Sequence, residues 1–153
     1  PTSANSCPAR FLFLMSKEAK EKLKPCLIPS NVEKTMASAC TVIIGYDTEF
    51  YDLLPELFLL ADVKGMFAGN AAFAEETAFR NGTLQGAYFI MAARAIGLDV
   101  GALSGFNAEQ VNAAFFPDGR IKVNFILNLG VGDENKLFPR QPRMPFERFC
   151  KVM

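Results

Sequence analysis

With 153 residues, half of them hydrophobic, the chain can bury one substantial core, and a single domain over residues 1–153 is expected. Sixteen basic residues balance sixteen acidic ones, so no net charge steers the protein toward nucleic acid. The absence of histidine removes the commonest general base, the usual metal ligand, and every Ser-His or Cys-His nucleophile pair.

The first stretch, Pro1-Thr2-Ser3-Ala4-Asn5-Ser6-Cys7-Pro8, is a polar loop of short hydrogen-bonding side chains fenced by prolines. Residue types alone make it a solvated turn. Phe11 to Met15 is an apolar run of strand length, and Ser16-Lys17-Glu18-Ala19 opens a charged amphipathic helix that Pro25 stops. Asn31 to Met36 reads as a short helix capped by Ser30 or Asn31, leading into a buried strand over Thr41 to Tyr46. A further short helix is expected near Asp47 to Leu54. A loop with Pro55, Gly65 and Gly69 follows, in which Phe58, Leu59, Leu60, Met66 and Phe67 are apolar enough to cover something or to pack on a partner.

The strongest helical signal runs from about Ala72 to Leu98. Phe79, Thr83, Ala87, Ile90 and Arg94 share one face, and Leu84, Tyr88, Met91 and Ala95 share the next. In so short a chain a second copy is expected to bury one face, with Gly82 and Gly86 permitting close backbone approach there; an ordinary central core helix is the alternative. Glu75 and Glu76 sit near the helix start, where the dipole favours carboxylates, and need no catalytic role. Gly97-Leu98-Asp99 ends the helix, and Gly101 to Gly105 reads as a short glycine-punctuated crossing. Asn107-Ala108-Glu109-Gln110 starts a helix to about Phe115, Pro117 to Arg120 is a turn, and Ile121 to Leu129 is a strand. From Lys136 to Met153 a basic, proline-stiffened tail carries Arg140, Arg143, Arg148 and Lys151, and is expected to extend over a neighbour.

Cys7, Cys26, Cys40 and Cys150 show no paired short spacing, which favours reduced thiols over a zinc site or a disulfide framework. No apolar run spans a bilayer and the start carries no signal pattern, so a soluble cytoplasmic protein is expected, with no membrane partner. Gly130-Val131-Gly132-Asp133 follows a strand but lacks the third glycine and the helix of a dinucleotide fingerprint, leaving a strand-end turn. What remains is a set of neutral polar groups, glycines and isolated cations. Such a set suits an organic cofactor that brings its own reactivity.

The Pro-Thr-Ser-x-Asn opening, Asn31-x-x-Lys34, Leu98-Asp99 with Ser104-Gly105-Phe106, and Arg140-Gln141-Pro142-Arg143-Met144-Pro145 occur in the order found in the FMN-dependent nitroreductase family, which the sequence resembles over essentially all 153 residues. Residues 77–88, the Ser104-Gly105-Phe106 variant, and Asn128-Leu129-Gly130 before Leu137-Phe138-Pro139-Arg140 are similar to its malonic semialdehyde reductase branch, known from pyrimidine catabolism.

The resemblance implies an α+β, three-layer α/β/α fold with a mostly antiparallel central sheet, a domain-swapped tail and a long central dimer helix. It implies a homodimer with FMN at the interface and NADH or NADPH as co-substrate. By that likeness Pro1, Thr2, Ser3 and Asn5 match the loop one subunit lays against the other's flavin, and Asn31 and Lys34 match positions at the ring's polar edge. Ser104 and Gly105 match the crossing near the redox-active nitrogen, where Gly105 gives the backbone room. Arg140 and Arg143 match tail cations that hold the phosphate. No side chain is implied as the catalytic acid or base; with no histidine, water or a cofactor hydroxyl would supply the proton. Cys7 stands where many members carry Gln, and Ser104 where many carry Glu.

The family's opening helix and arginine-bearing segment would lie upstream of Pro1, so the sequence is expected to be part of a longer protein; weak FMN binding is the alternative. The implied reaction is ping-pong hydride transfer that reduces malonic semialdehyde, with Arg80, Arg10 and Arg120 as candidate carboxylate ligands. Nitroaromatic or quinone reduction on the same flavin, with residues 56–67 as a lid, is the enzyme alternative. A cofactor-free dimeric scaffold or binding module is the alternative from another class.

Overall fold

Val42, Ile44 and Tyr46 alternate with Thr41, Ile43 and Gly45, so a strand built from them presents two apolar faces and needs cover on both. In the computed structural model, which describes residues 1–153, that cover is supplied by a helical layer on each side. The strands are β1 (Ala9–Leu14), β2 (Cys40–Asp47), β3 (Asp99–Leu103) and β4 (Ile121–Gly130). They form one antiparallel sheet in the order β1-β2-β4-β3, and β2, buried throughout, lies inside it.

The helices are α1 (Lys17–Leu23), α2 (Pro29–Ala37), α3 (Leu54–Leu57), α4 (Lys64–Ala68), α5 (Ala71–Ala95), α6 (Ala108–Phe115) and α7 (Phe146–Phe149). On one face of the sheet α1, α2 and α6 pack Leu23, Val32 and Val111 against Leu14, Ile43, Leu103 and Ile126. On the other, α5 packs Phe89, Ile90 and Ala93 against Val42, Ile44, Phe125 and Leu127. The result is the expected α+β, three-layer arrangement with an antiparallel sheet.

Four local expectations change. Gly101 to Gly105 was expected as a crossing, but Asp99 to Leu103 is a strand, because pairing with Gly130 to Ile126 of β4 outweighs the weak intrinsic strand preference of Gly101. The expected loop with Pro55, Gly65 and Gly69 instead contains α3 and α4, fixed by burial of Leu54 and Phe67 in an aromatic cluster with Phe50 and Tyr46. α2 begins earlier than expected: Ile28 is its cap and Pro29 its first residue, where the missing N–H is harmless, so Ser30 and Asn31 lie inside the first turn.

Gly82 and Gly86 do not open α5 toward a second copy. They face this chain's own sheet, where a Cβ on Gly82 would sit 3.0 Å from Tyr46 Cβ and one on Gly86 would drive into the Phe125 ring. The outer side of α5 instead exposes Leu84, Tyr88, Met91 and Ala95. The tail beyond Lys136 is exposed and extended apart from the single turn of α7.

Candidate functional site

α2 is fixed to the sheet by a chain of buried hydrogen bonds. Thr41 Oγ1 donates to Asn128 Oδ1 at 2.9 Å, and Asn128 Nδ2 donates to Thr35 Oγ1 at 3.0 Å. Ser38 Oγ lies 3.0 Å from Thr41 Oγ1 and donates to the Thr35 carbonyl, while Lys20 Nζ donates to the Ser38 carbonyl. Such a network, with each member satisfied, holds a helix in one position. Nothing in residue spacing marked Thr35 and Asn128 as partners, because they are 93 positions apart.

The other end of α2 is fixed to the segment that follows β3. The Gly105 carbonyl accepts from Ile28 N at 3.1 Å and from Asn31 Nδ2 at 2.9 Å. Gly105 leaves no space for a side chain: a Cβ there would collide with Ile28 Cδ1 and come within 2.5 Å of Asn31 Nδ2. Asn31 is buried and keeps its Oδ1 free of any partner in the chain, and Ser104 beside it is exposed. The structure therefore brings Asn31, Ser104 and Gly105 together. Lys34, one turn along α2, is exposed and in no ion pair. It lines a groove of about 780 Å³ shared with Ser30, Asp99, Asn128, Gly132 and Lys136.

The opening loop lies elsewhere, at the Tyr46 end of the sheet and on the α5 side. Ser3 N donates to Asn81 Oδ1 of α5 at 2.8 Å, and Ala9 N donates to Gln85 Oε1 at 2.9 Å. Asn5 Nδ2 donates to the Leu57 carbonyl at 2.8 Å, and Thr2 Oγ1 accepts from Cys7 N at 3.1 Å. Ala4, Asn5 and Cys7 all have positive φ, 49°, 47° and 42°. The solvated-turn expectation is overturned, since this is a strained loop held at several points. Pro1, Thr2, Ser3 and Asn5 thus form one cluster, separated by the sheet from the cluster of Asn31, Ser104 and Gly105.

Arg140 and Arg143 join neither cluster. Both are exposed on the tail, where Arg143 Nη1 donates only to the Gln141 and Pro142 carbonyls of its own segment. The three arginines considered for a substrate carboxylate are already engaged. Buried Asp47 accepts from Arg10 Nη2 at 2.6 Å and from Arg120 Nε at 2.9 Å, and Arg80 pairs with Glu76. Arg120 also reaches Glu49 and Asp52, each at 3.3 Å, and Asp52 pairs with Lys64 at 2.9 Å. Hydrogen bonding to Asp47 raises the pKa of Arg120, and hydrogen bonding to Lys64 lowers that of Asp52. Asp47 as the hub of this ladder carried no sequence signal; it stands at the end of a buried strand like many aspartates that precede a turn.

Residues 54–68 cross beside the opening loop. Leu54 and Phe67 anchor the ends, whereas Leu59 and Leu60 at the tip are 84% and 87% exposed. An apolar cavity of about 410 Å³ lies under the tip, lined by Leu54, Pro55, Phe58, Leu59, Val63 and Lys64. No helix of the molecule is long and apolar enough to cross a membrane.

These layers are shared by solved structures of nitroreductases. A nitroreductase from Exiguobacterium sibiricum, solved in complex with FMN, superposes with a TM-score of 0.89 at 22% identity, covering 100% of this chain and 80% of that one. A nitroreductase from Bacillus subtilis superposes with a TM-score of 0.87 at 23% identity, over 100% and 81% of the two chains. No family model matches the sequence. Among curated proteins, one from Polynucleobacter asymbioticus, bearing the name NADH dehydrogenase/NAD(P)H nitroreductase, is 57% identical over 153 residues, all of this chain and 78% of that protein. A protein of the same name from Rhodopseudomonas palustris is 54% identical, again over 100% and 78%. The chain belongs to the nitroreductase family.

Proposed function

We propose that this protein is an FMN-dependent NAD(P)H oxidoreductase whose flavin sites are each built from two copies of the chain. The observation that carries the reading is the corner of α2 and Gly105. It combines a glycine against which Ile28 and Asn31 pack, the Asn31 amide with a free oxygen, and an unpaired lysine one turn away. Those features fit a flat heteroaromatic ring with a polar edge. The names of the relatives, NADH dehydrogenase and NAD(P)H nitroreductase, and the FMN complex of the Exiguobacterium structure support the same cofactor and reductant.

Bound FMN would supply the relay of hydride from NADH or NADPH to the acceptor. The ammonium of Lys34 would stabilise negative charge at the ring's polar edge, and Asn31 Oδ1 would accept from a ring N–H. Ser104 and Gly105 would bring backbone close to the ring, Gly105 by letting Ile28 and Asn31 of α2 pack directly against it. The exposed tail carrying Arg140 and Arg143 is free to reach a phosphate, for which the guanidinium fork is suited. Pro1, Thr2 and Ser3 lie across the sheet from this corner and would wall the flavin of a partner copy. Exposed Leu84, Tyr88 and Met91 on α5 support burial against that copy.

For the acceptor, the sequence resemblance supports malonic semialdehyde, reduced at its aldehyde to 3-hydroxypropionate. A specific observation favours a second reading, a nitroaromatic or quinone. Arg10 and Arg120 are committed to buried Asp47, while the apolar segment 54–68 suits an uncharged flat ring. Steady-state kcat/KM with malonic semialdehyde, a benzoquinone and a nitroaromatic tests this. A preference of tenfold or more for a ring substrate is expected, and a clear preference for the aldehyde would restore the first acceptor.

A further inference from the structure

Asn5 was expected to face a flavin, yet its side-chain amide is committed elsewhere. Nδ2 donates at 2.8 Å to the carbonyl of Leu57, the last residue of α3 and one of the acceptors a helix end leaves unpaired. Oδ1 accepts a weak bond from Cys7 Sγ at 3.5 Å. Asn5 also has φ 47°, a left-handed conformation that asparagine tolerates better than most residues. The same loop is rooted in α5 through Ser3 N and Asn81, and Ala4 packs into the aromatic cluster that holds Leu54 and Phe67. The loop and both ends of segment 54–68 therefore share one core, and Asn5 supplies the direct polar link between them. Lys64 fixes the far side of that segment through Asp52.

We infer that Asn5 is a positioning residue that couples the opening loop to segment 54–68, so that the wall beside the flavin and the apolar cover over the acceptor are set in one geometry. Through Leu57 it fixes the height of the Phe58-Leu59-Leu60 tip above the cavity. It thereby selects acceptors by size and does not act as a flavin ligand. This rests on the reading of the site as a flavin oxidoreductase in which 54–68 covers the acceptor.

The test compares wild type with Asn5→Gly, which keeps the left-handed backbone and deletes the amide, and Asn5→Asp, which keeps the shape and removes the donor. Hydrogen exchange of the free protein is read first, because it needs no cofactor. Both variants should raise exchange at the Leu57 and Phe58 amides, which close the turn of α3, by at least fivefold while α5 amides 85–92 stay within twofold. FMN affinity should then remain within about threefold of wild type, and the kcat/KM ratio of a one-ring quinone to a two-ring quinone should change at least fivefold. Unchanged exchange at Leu57 and Phe58 would overturn the coupling. So would a tenfold loss of FMN affinity with an unchanged acceptor ratio, which would make Asn5 a flavin ligand. If wild type itself takes up no FMN, the flavin reading fails, while the exchange data still decide whether Asn5 holds the segment.

Discussion

Replacing Arg120 by Met separates a structural arginine from a substrate-binding one. The methionine keeps an unbranched apolar stem but removes the guanidinium that meets Asp47 at 2.9 Å through Nε and at 3.3 Å through Nη2. Removing one partner of a buried ion pair costs about 3–5 kcal/mol, because the remaining charge stays desolvated. Two features reduce this here. Arg10 still pairs with Asp47, and the Arg120 side chain is 35% exposed, so water screens part of its charge. The expected loss is then about 1.5–2.5 kcal/mol. For a chain of this length that corresponds to a fall in Tm of about 3–10 °C.

Thermal unfolding by circular dichroism measures the fall. Arg10→Met and the double variant complete the cycle, and the double should lose at least about 1 kcal/mol more than the sum, since Asp47 is then buried without any cation. Steady-state kinetics on the same proteins should show KM for malonic semialdehyde within twofold of wild type. An unchanged Tm together with a tenfold rise in that KM would refute the reasoning, because Arg120 would then be serving the substrate.

Other outcomes follow from the same geometry. Burial, then the neighbouring Glu75 carboxylate, pushes the Tyr46 phenol up to about 12. An acid whose folded pKa is raised is held neutral by the fold, so this contribution is intact below pH 10 and is lost as pH rises from about 10 toward 12, by up to about 2–3 kcal/mol. Tyr46→Phe should flatten that part of the Tm-against-pH curve, and an identical alkaline slope in both proteins would contradict the account. Gly105→Ala should push Ile28 and Asn31 off the Gly105 carbonyl, with a loss of about 1–3 kcal/mol from overpacking and at least tenfold weaker FMN binding. Unchanged Tm and FMN affinity would show that the corner can yield. Lys34→Gln should leave Tm within about 1 °C, since no ion pair is lost and surface changes are usually small, while lowering the rate of flavin reduction by NAD(P)H at least tenfold. An unaltered reduction rate would remove the lysine from the ring's edge.

What was legible in the sequence is what depends on short-range pattern. The apolar run of β2, the helix start at Ser16, whose Oγ accepts from Ala19 N, and the Asn107 cap of α6 each stand on neighbouring residues, and each is present. β3 was not legible, because Gly101 and Ala102 have little strand character and the segment is extended only through its pairing with β4. The glycines of α5 were assigned to the wrong contact. Helical periodicity locates Gly82 and Gly86 on the helix but does not say whether sheet or partner fills the space beside them.

At the site, Asn31, Ser104 and Gly105 were named by family likeness, and the chain does bring them together. Thr35 with Asn128, Asn5 with Leu57, and Asp47 with Arg10 and Arg120 are distant in sequence, and the residue types alone do not select one partner over another. Arg10 and Arg120 looked available as isolated cations because the carboxylate between them sits at the buried end of a strand.

In the proposed dimer two copies of this chain hold FMN between the α2–Gly105 corner of one and the opening loop of the other. Visible-absorption titration of the purified full-length protein with FMN, read together with multi-angle light scattering, tests it most directly. A dimer that binds one FMN per chain and shows flavin bands shifted from those of free FMN is expected. A protein that stays colourless with excess FMN, or that binds FMN as a stable monomer, would contradict it.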